Sequence, residues 1–279
     1  MRLATVRTPD GTRAARVDGD AAFLLPFEDV GRLLAVGPDW TDRAVGGTAA
    51  GPVGELDLAP VVPSPSKVFC VGLNYLRHLL ETGRGGEAPS HPTQFAKFAD
   101  ALTGPFDDIV LPVASAGVDW EAELVVVIGR SIRAADRSLA AHAIAGFTVG
   151  NDVSMRDWQR RTTQWLQGKT WEASSPVGPF LVTLDEVGSP TPDLAISCLV
   201  DEETMQDSRT SDLLFDPVDV VAYASAVVTL RPGDLIFTGT PDGVGGARQP
   251  PVFLQDGQVV TTRIEGVGEM TNRFVADAR

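Results

Sequence analysis

The 279-residue sequence is poor in cysteine, histidine and lysine. Its two cysteines, Cys70 and Cys198, stand far apart in apolar surroundings, without the spacing of a metal site or a disulfide framework. They read as buried free thiols of a reducing compartment, and a cytoplasmic location is the expectation. Three histidines, His78, His91 and His142, limit any imidazole chemistry to three places. Of the 23 basic residues only Lys67, Lys97 and Lys169 are lysines. No apolar run reaches the ~18 residues of a membrane span, and the N-terminus lacks the apolar region of a secretory signal. No basic cluster occurs, and 37 acidic residues leave a formal net charge of −14. Nucleic acid and anionic membrane are therefore disfavoured partners. Neither a GxGxxG after a strand nor a Walker sequence is present, which removes the common nucleotide sites.

What remains is a globular composition, 43% hydrophobic and 22% charged, at a length near the limit for one core. Residues 1–60 read as a small β-rich domain, with strand-like runs at 2–8, 13–17 and 22–25 separated by Pro-Asp-Gly and Asp-Gly-Asp turns. A short helix is expected from an Asp29 cap to Val36. Three prolines within 59–66 suggest a stiff linker, placing the second domain at 61–279. There, strands are expected at 67–72, 117–129, 147–152, 195–200, 235–238 and 259–264. Helices are expected at 75–81, 139–145, 156–167 and 217–228. Strands and helices do not alternate strictly, so the fold class is α+β, β-dominated, rather than a doubly wound parallel sheet.

Five runs carry chemistry. In Val118-Asp119-Trp120-Glu121-Ala122-Glu123 followed by Leu-Val-Val-Val-Ile, Glu121 and Glu123 share one face of a strand that enters a core. Paired acids there need a cation, and a hard divalent ion is the economical one; solvated acids on an edge strand are the plain alternative. Asp152, in Gly-Asn-Asp-Val-Ser, either caps the following helix or supplies a third carboxylate. His78 and Glu81 stand at i and i+3 of a helix, as a surface pair or as a dyad that activates water. The glycine-rich stretch 82–86 behind them would let that helix act as a lid. Arg156 and Gln159 are again i and i+3, offering a guanidinium and an amide to a carboxylate or carbonyl. Lys169, before Trp171, is a loop lysine or an ammonium aimed at an oxyanion. The run Thr238-Gly239-Thr240-Pro241-Asp242-Gly243-Val244-Gly245 is a tight turn or a backbone approach to a ligand, with Thr240 presented.

Taken in order, Val71-Gly72-Leu73-Asn74-Tyr75, Val118–Leu124, Gly150–Ser154, Gly168-Lys169-Thr170 and Thr238–Gly245 resemble the fumarylacetoacetate hydrolase superfamily, from about Lys67 to Phe274. The resemblance implies a mixed β-roll catalytic domain, a homodimer and a divalent metal, Mg²⁺ or Mn²⁺, with Ca²⁺ a substitute in a crystal. Glu121, Glu123 and Asp152 match its metal carboxylates, His78 and Glu81 its lid dyad, and Lys169 its active-site lysine. Arg156, Gln159 and Thr240 match substrate-contacting positions. Lys97 falls where relatives often carry lysine, in a structural or a substrate-contacting role. The chain departs from the pattern at Leu76-Arg77, Glu172 and Gly257-Gln258. The expected activity is metal-dependent C–C hydrolysis of an acylpyruvate-like 2-oxo acid by His–Glu-activated water. Oxaloacetate-type decarboxylation, hydroxymuconate-type isomerisation or hydration, and non-catalytic ligand binding are the alternatives.

Overall fold

A computed structural model describes residues 1–83 and 88–278. The long sheet runs in the order Thr48–Pro52, Ala21–Leu24, Gly11–Asp18, Arg2–Thr8, Ser175–Thr183, Ile144–Asn151, Ala122–Ile128, Leu235–Phe237, Val68–Gly72 and Thr93–Lys97. Neighbours along it are antiparallel except Leu235–Phe237 with Val68–Gly72. A five-stranded sheet, Glu203–Arg209, Ala195–Val200, Val259–Ile264, Gly268–Ala276 and Ile109–Leu111, packs across it. Two-residue strands Val118–Asp119 and Ser154–Met155 form a third pair. The fold is α+β and β-dominated, as expected.

The uninterrupted Leu124-Val125-Val126-Val127-Ile128 run has a direct cause. Leu124, Val126 and Ile128 face one hydrophobic core while Val125 and Val127 face another, so both faces of this strand are buried. The expected 117–129 strand is interrupted at Trp120-Glu121, which lie between Val118–Asp119 and Ala122–Ile128. The expected 156–167 helix is two short ones, Arg156–Gln159 and Leu166–Lys169. They fold onto each other so closely that a side chain at Gly168 would strike Gln159. Helix Val30–Leu34 is capped by Asp29, whose carboxylate accepts from Arg32 N–H at 2.8 Å. Strand Arg2–Thr8 pairs with Ser175–Thr183, so residues 1–60 share a sheet with the rest of the chain.

The proline segment is no exposed linker. Val61 and Val62 belong to the core, and the buried Thr5 hydroxyl donates to Val61 C=O at 2.7 Å. Its far end is tied down by the fully buried Asp234. That carboxylate accepts from Ser66 Oγ at 2.5 Å, Lys67 N–H at 3.0 Å and Arg231 N–H at 2.8 Å, and pairs with Lys67 Nζ at 2.8 Å. Asp234→Ala strands these donors and should lower unfolding stability by about 3 kcal/mol in urea titration. A loss below about 1 kcal/mol would mean that the segment holds its place without the carboxylate.

Candidate active site

Strands Ala122–Ile128 and Ile144–Asn151 pair antiparallel with Ala122 opposite Asn151, so the start of one meets the end of the other. Glu121 and Glu123 lie at that start and Asp152 just past that end; Asp152 N–H donates to Glu121 C=O at 2.9 Å. Asn151 turns inward, accepting from Glu121 N–H at 2.9 Å and donating to Thr262 Oγ1 at 3.0 Å, which fixes the junction. One oxygen from each of the three buried carboxylates lies within 4.8 Å of the others. The set is all carboxylate oxygen, with no imidazole or thiolate. That donor chemistry fits a hard divalent ion such as Mg²⁺ or Mn²⁺ and does not suit zinc. Asp152 caps no helix: Arg156–Gln159 begins without a side-chain cap bond.

Three cations converge on these acids. Lys169 Nζ, buried rather than on an exposed loop, donates to Glu121 Oε2 at 2.6 Å and Asp152 Oδ2 at 2.8 Å. Lys97 Nζ pairs with Asp152 Oδ1 at 2.6 Å and also donates to Lys169 C=O. Arg156 Nη2 pairs with Glu121 Oε1 at 2.6 Å, Nε with Asp119 Oδ2 at 2.6 Å, and Nη1 donates to Gln159 Oε1 at 3.0 Å. Burial alone would raise the Glu121 carboxyl, but Lys169 and Arg156 outweigh it and hold it well below the ordinary carboxylate range. Burial likewise works against the Lys169 ammonium, and Asp152 and Glu121 outweigh it, so its pKa is raised. Among the described residues Glu123 has no such ion-pair partner. Burial and the charges of Asp152 and Glu121 push its carboxyl well above the usual range, with Gly239 N–H donating to Oε2 at 2.6 Å.

The remaining expected residues face the same cavity of about 930 Å³, which Glu121, Glu123 and Lys169 also line. His78, on helix Leu76–Glu81, places Nδ1 2.7 Å from Glu81 Oε1, and Gly243 N–H donates to Glu81 Oε2 at 2.9 Å. The dyad is thus pinned to the glycine turn rather than lying on the surface. The turn needs its glycines: Gly239 and Gly243 have φ of +109° and +100°, and a Cβ on Gly243 would sit 2.0 Å from Met205 C=O. Thr240 Oγ1 accepts from Gln206 Nε2 at 2.8 Å. All nine expected residues are brought together, with Asp152 behind the cavity wall and the other eight lining it. Of the glycine-rich stretch expected to let the lid move, residues 84–86 lie outside the described residues.

Two contributors were not assigned from sequence. Asp119, fully buried, accepts from Trp120, Gly245 and Gly246 N–H at 2.7–2.9 Å as well as from Arg156. It ties the guanidinium to the glycine turn. Its signal was an acid two residues before Glu121, on the same side of an alternating run. Lys97 sits behind Asp152 as an ion-pair partner, away from the cavity lining. Its signals were lysine scarcity and a position where relatives often carry lysine, which left a structural and a substrate-contacting role open.

Residues 67–275 match the family described as fumarylacetoacetate (FAA) hydrolase C-terminal. The oxaloacetate tautomerase FAHD2A, mitochondrial, of Bos taurus is 48% identical over 220 residues, 78% of this chain and 69% of that protein. Among solved structures, the 5-carboxymethyl-2-hydroxymuconate delta-isomerase from Mycobacterium smegmatis covers 100% of both chains at TM-score 0.79 and 36% identity. The fumarylpyruvate hydrolase from Pseudomonas aeruginosa, in complex with Mn²⁺ and pyruvate, covers 79% of this chain and 92% of its own at TM-score 0.70 and 33% identity. The chain therefore belongs to the fumarylacetoacetate hydrolase family and is an enzyme.

Proposed function

We propose that the protein moves protons on an enolisable 2-oxo acid, interconverting its keto and enol forms or shifting its double bond. The observation that carries this reading is the single oriented imidazole. With Nδ1–H donated to Glu81, His78 keeps a lone pair on Nε2 in a cavity whose wall includes Glu121 and Glu123. Glu121, Glu123 and Asp152 would hold a divalent ion, Mg²⁺ or Mn²⁺, which when bound supplies Lewis-acid polarisation of the 2-oxo acid. Glu81 orients the base. Lys169 spends two of its three N–H bonds on Glu121 and Asp152, leaving one for a developing enolate oxygen. The Gln159 carbonyl is taken by Arg156, so its amide N–H groups are the end left for substrate. The tautomerase and isomerase relatives carry out reactions of this class by name.

C–C hydrolysis of an acylpyruvate, the activity expected from sequence, is the second reading. It uses the same parts, with His78 taking its proton from water, and the cavity has room for water beside substrate. The fumarylpyruvate hydrolase relative favours it. His78→Ala should lower kcat by about 10²–10⁴-fold while Mn²⁺ binding by calorimetry is retained. Proton NMR in D₂O separates the readings: exchange at C3 without fragments supports proton transfer, and release of pyruvate supports hydrolysis. Unchanged turnover in His78→Ala would remove the dyad from both.

Glu123 gives an independent check on the metal. Its raised pKa leaves it protonated without the ion at a pH where an ordinary carboxylate is charged, so binding must expel that proton. Mn²⁺ affinity should therefore climb with pH, up to about tenfold per unit, and level off once Glu123 ionises unaided. Calorimetry in two buffers of different ionisation enthalpy should find close to one proton released per ion. Glu123→Gln should abolish the release and weaken binding by roughly 100-fold or more. Affinity independent of pH would contradict a site built on Glu123.

A further inference from the structure

Gln206 is the one buried residue of the edge strand Glu203–Arg209, and its amide is fully engaged. Oε1 accepts from Ala122 N–H at 2.9 Å, and Nε2 donates to Pro241 C=O and to Thr240 Oγ1, both at 2.8 Å. The bond to Ala122 has a cause in the sheet. Strand Leu235–Phe237 pairs with Ala122–Ile128 only as far as Val125, and Thr238 N–H still reaches Leu124 C=O. Beyond that the chain leaves for the glycine turn. Ala122 N–H, which backbone alternation points to the same side as Leu124, takes a side-chain amide where a strand has ended. Gln206 therefore fills the wedge between the start of that strand and the turn, and belongs to neither.

Its neighbours fix which way round the amide stands. A peptide N–H only donates and a proline carbonyl only accepts, so Ala122 holds Oε1 and Pro241 holds Nε2. The end facing Thr240 is thus a donor, and Thr240 Oγ1 can only accept from it. A hydroxyl carries one hydrogen. Among the described residues no acceptor takes that of Thr240, a residue 3% exposed that lines the cavity with Glu121, Glu123 and Lys169. Thr240 also follows Gly239, whose N–H is bound to Glu123 Oε2, so it stands at the carboxylate end of the cavity. A hydroxyl that accepts from an amide is in turn the stronger donor.

We propose that Gln206 is a positioning residue: by filling the acceptor side of Thr240 Oγ1 it reserves the hydroxyl hydrogen for an anionic oxygen of the bound acid. This rests on the reading of the site as a 2-oxo acid enzyme and adds the group that sets the polarity of one wall. The same amide holds Ala122, between Glu121 and Glu123, so the donor and the carboxylates are registered by one side chain. A double-mutant cycle tests it, with oxalate as a stable mimic of a chelating 2-oxo acid. The readout is calorimetric Kd on Mn²⁺-loaded protein, which does not depend on turnover.

Thr240→Val keeps the shape and removes the hydroxyl, and should weaken oxalate about tenfold or more, with Thr240→Ser recovering most of the loss. Gln206→Met removes both amide donors; Gln206→Glu keeps the length and the acceptor for Ala122 N–H, with at most one donor left. Each should weaken oxalate about fivefold or more when Thr240 is present and less than about twofold in the Thr240→Val background. Equal losses in both backgrounds make Gln206 a mere brace for the turn and overturn the proposal. Oxalate binding untouched by Thr240→Val, or by both Gln206 variants, overturns it as well. Coupled losses in a protein that turns over no 2-oxo acid would instead overturn the proposed reaction and leave the role of Gln206 standing.

Discussion

Four carboxylates, Asp119, Glu121, Glu123 and Asp152, share one buried volume with three cations, Lys97, Arg156 and Lys169, and neither group is tolerable there without the other. Taking one such ion out of water costs several kcal/mol, recovered only where geometry and hydrogen bonds are good. The count is −4 + 3 = −1, and a proton on the raised Glu123 brings it to zero. The seven groups come from four stretches of chain, with Asp119, Glu121 and Glu123 in one and Asp152 and Arg156 in another. Lys97 ends strand Thr93–Lys97, Arg156 starts one short helix and Lys169 ends another. The charges therefore close only when the long sheet has assembled and both short helices have docked.

Two of these carboxylates, together with Glu81, hold the glycine turn in place. Glu123 takes Gly239 N–H, Glu81 takes Gly243 N–H, and Asp119 takes those of Gly245 and Gly246. Backbone donors are fixed partners, without the rotamer entropy that a lysine or arginine gives up on being ordered. One loop is thereby registered against the triad, the lid dyad and Arg156 together. A displacement at any one of these is felt at the others through a few ångströms of peptide, which is why the dyad belongs to the buried charge cluster rather than to the surface.

The sequence displays some of this directly and conceals the rest for physical reasons. Acids leading into Leu-Val-Val-Val-Ile are conspicuous because burial penalises them, and His78 with Glu81 is a local pair that helix spacing reveals. Asp119 and Lys97 act on partners 37 and 55 residues away, at Arg156 and Asp152, so local spacing says nothing of them. Strand Gly268–Ala276 hides because the buried Asn272 breaks its apolar alternation; its amide serves Gly104 and Asp107 carbonyls. Glu203–Arg209 hides because it is a sheet edge on which Gln206 alone is buried, and that residue reaches Thr240. Ser175–Thr183 hides behind Pro176 and Pro179, which ordinarily argue against a strand. The tertiary partners, not the propensities, decide all of these.

Charge balance also bears on what the site accepts. A divalent ion that displaces the Glu123 proton changes the buried count from 0 to 0 − 1 + 2 = +1. A neutral ligand would leave that charge uncompensated in a low-dielectric pocket, whereas the carboxylate of a 2-oxo acid returns the sum to zero. Anionic substrate and ion thus belong to one electrostatic unit, each lowering the cost of burying the other.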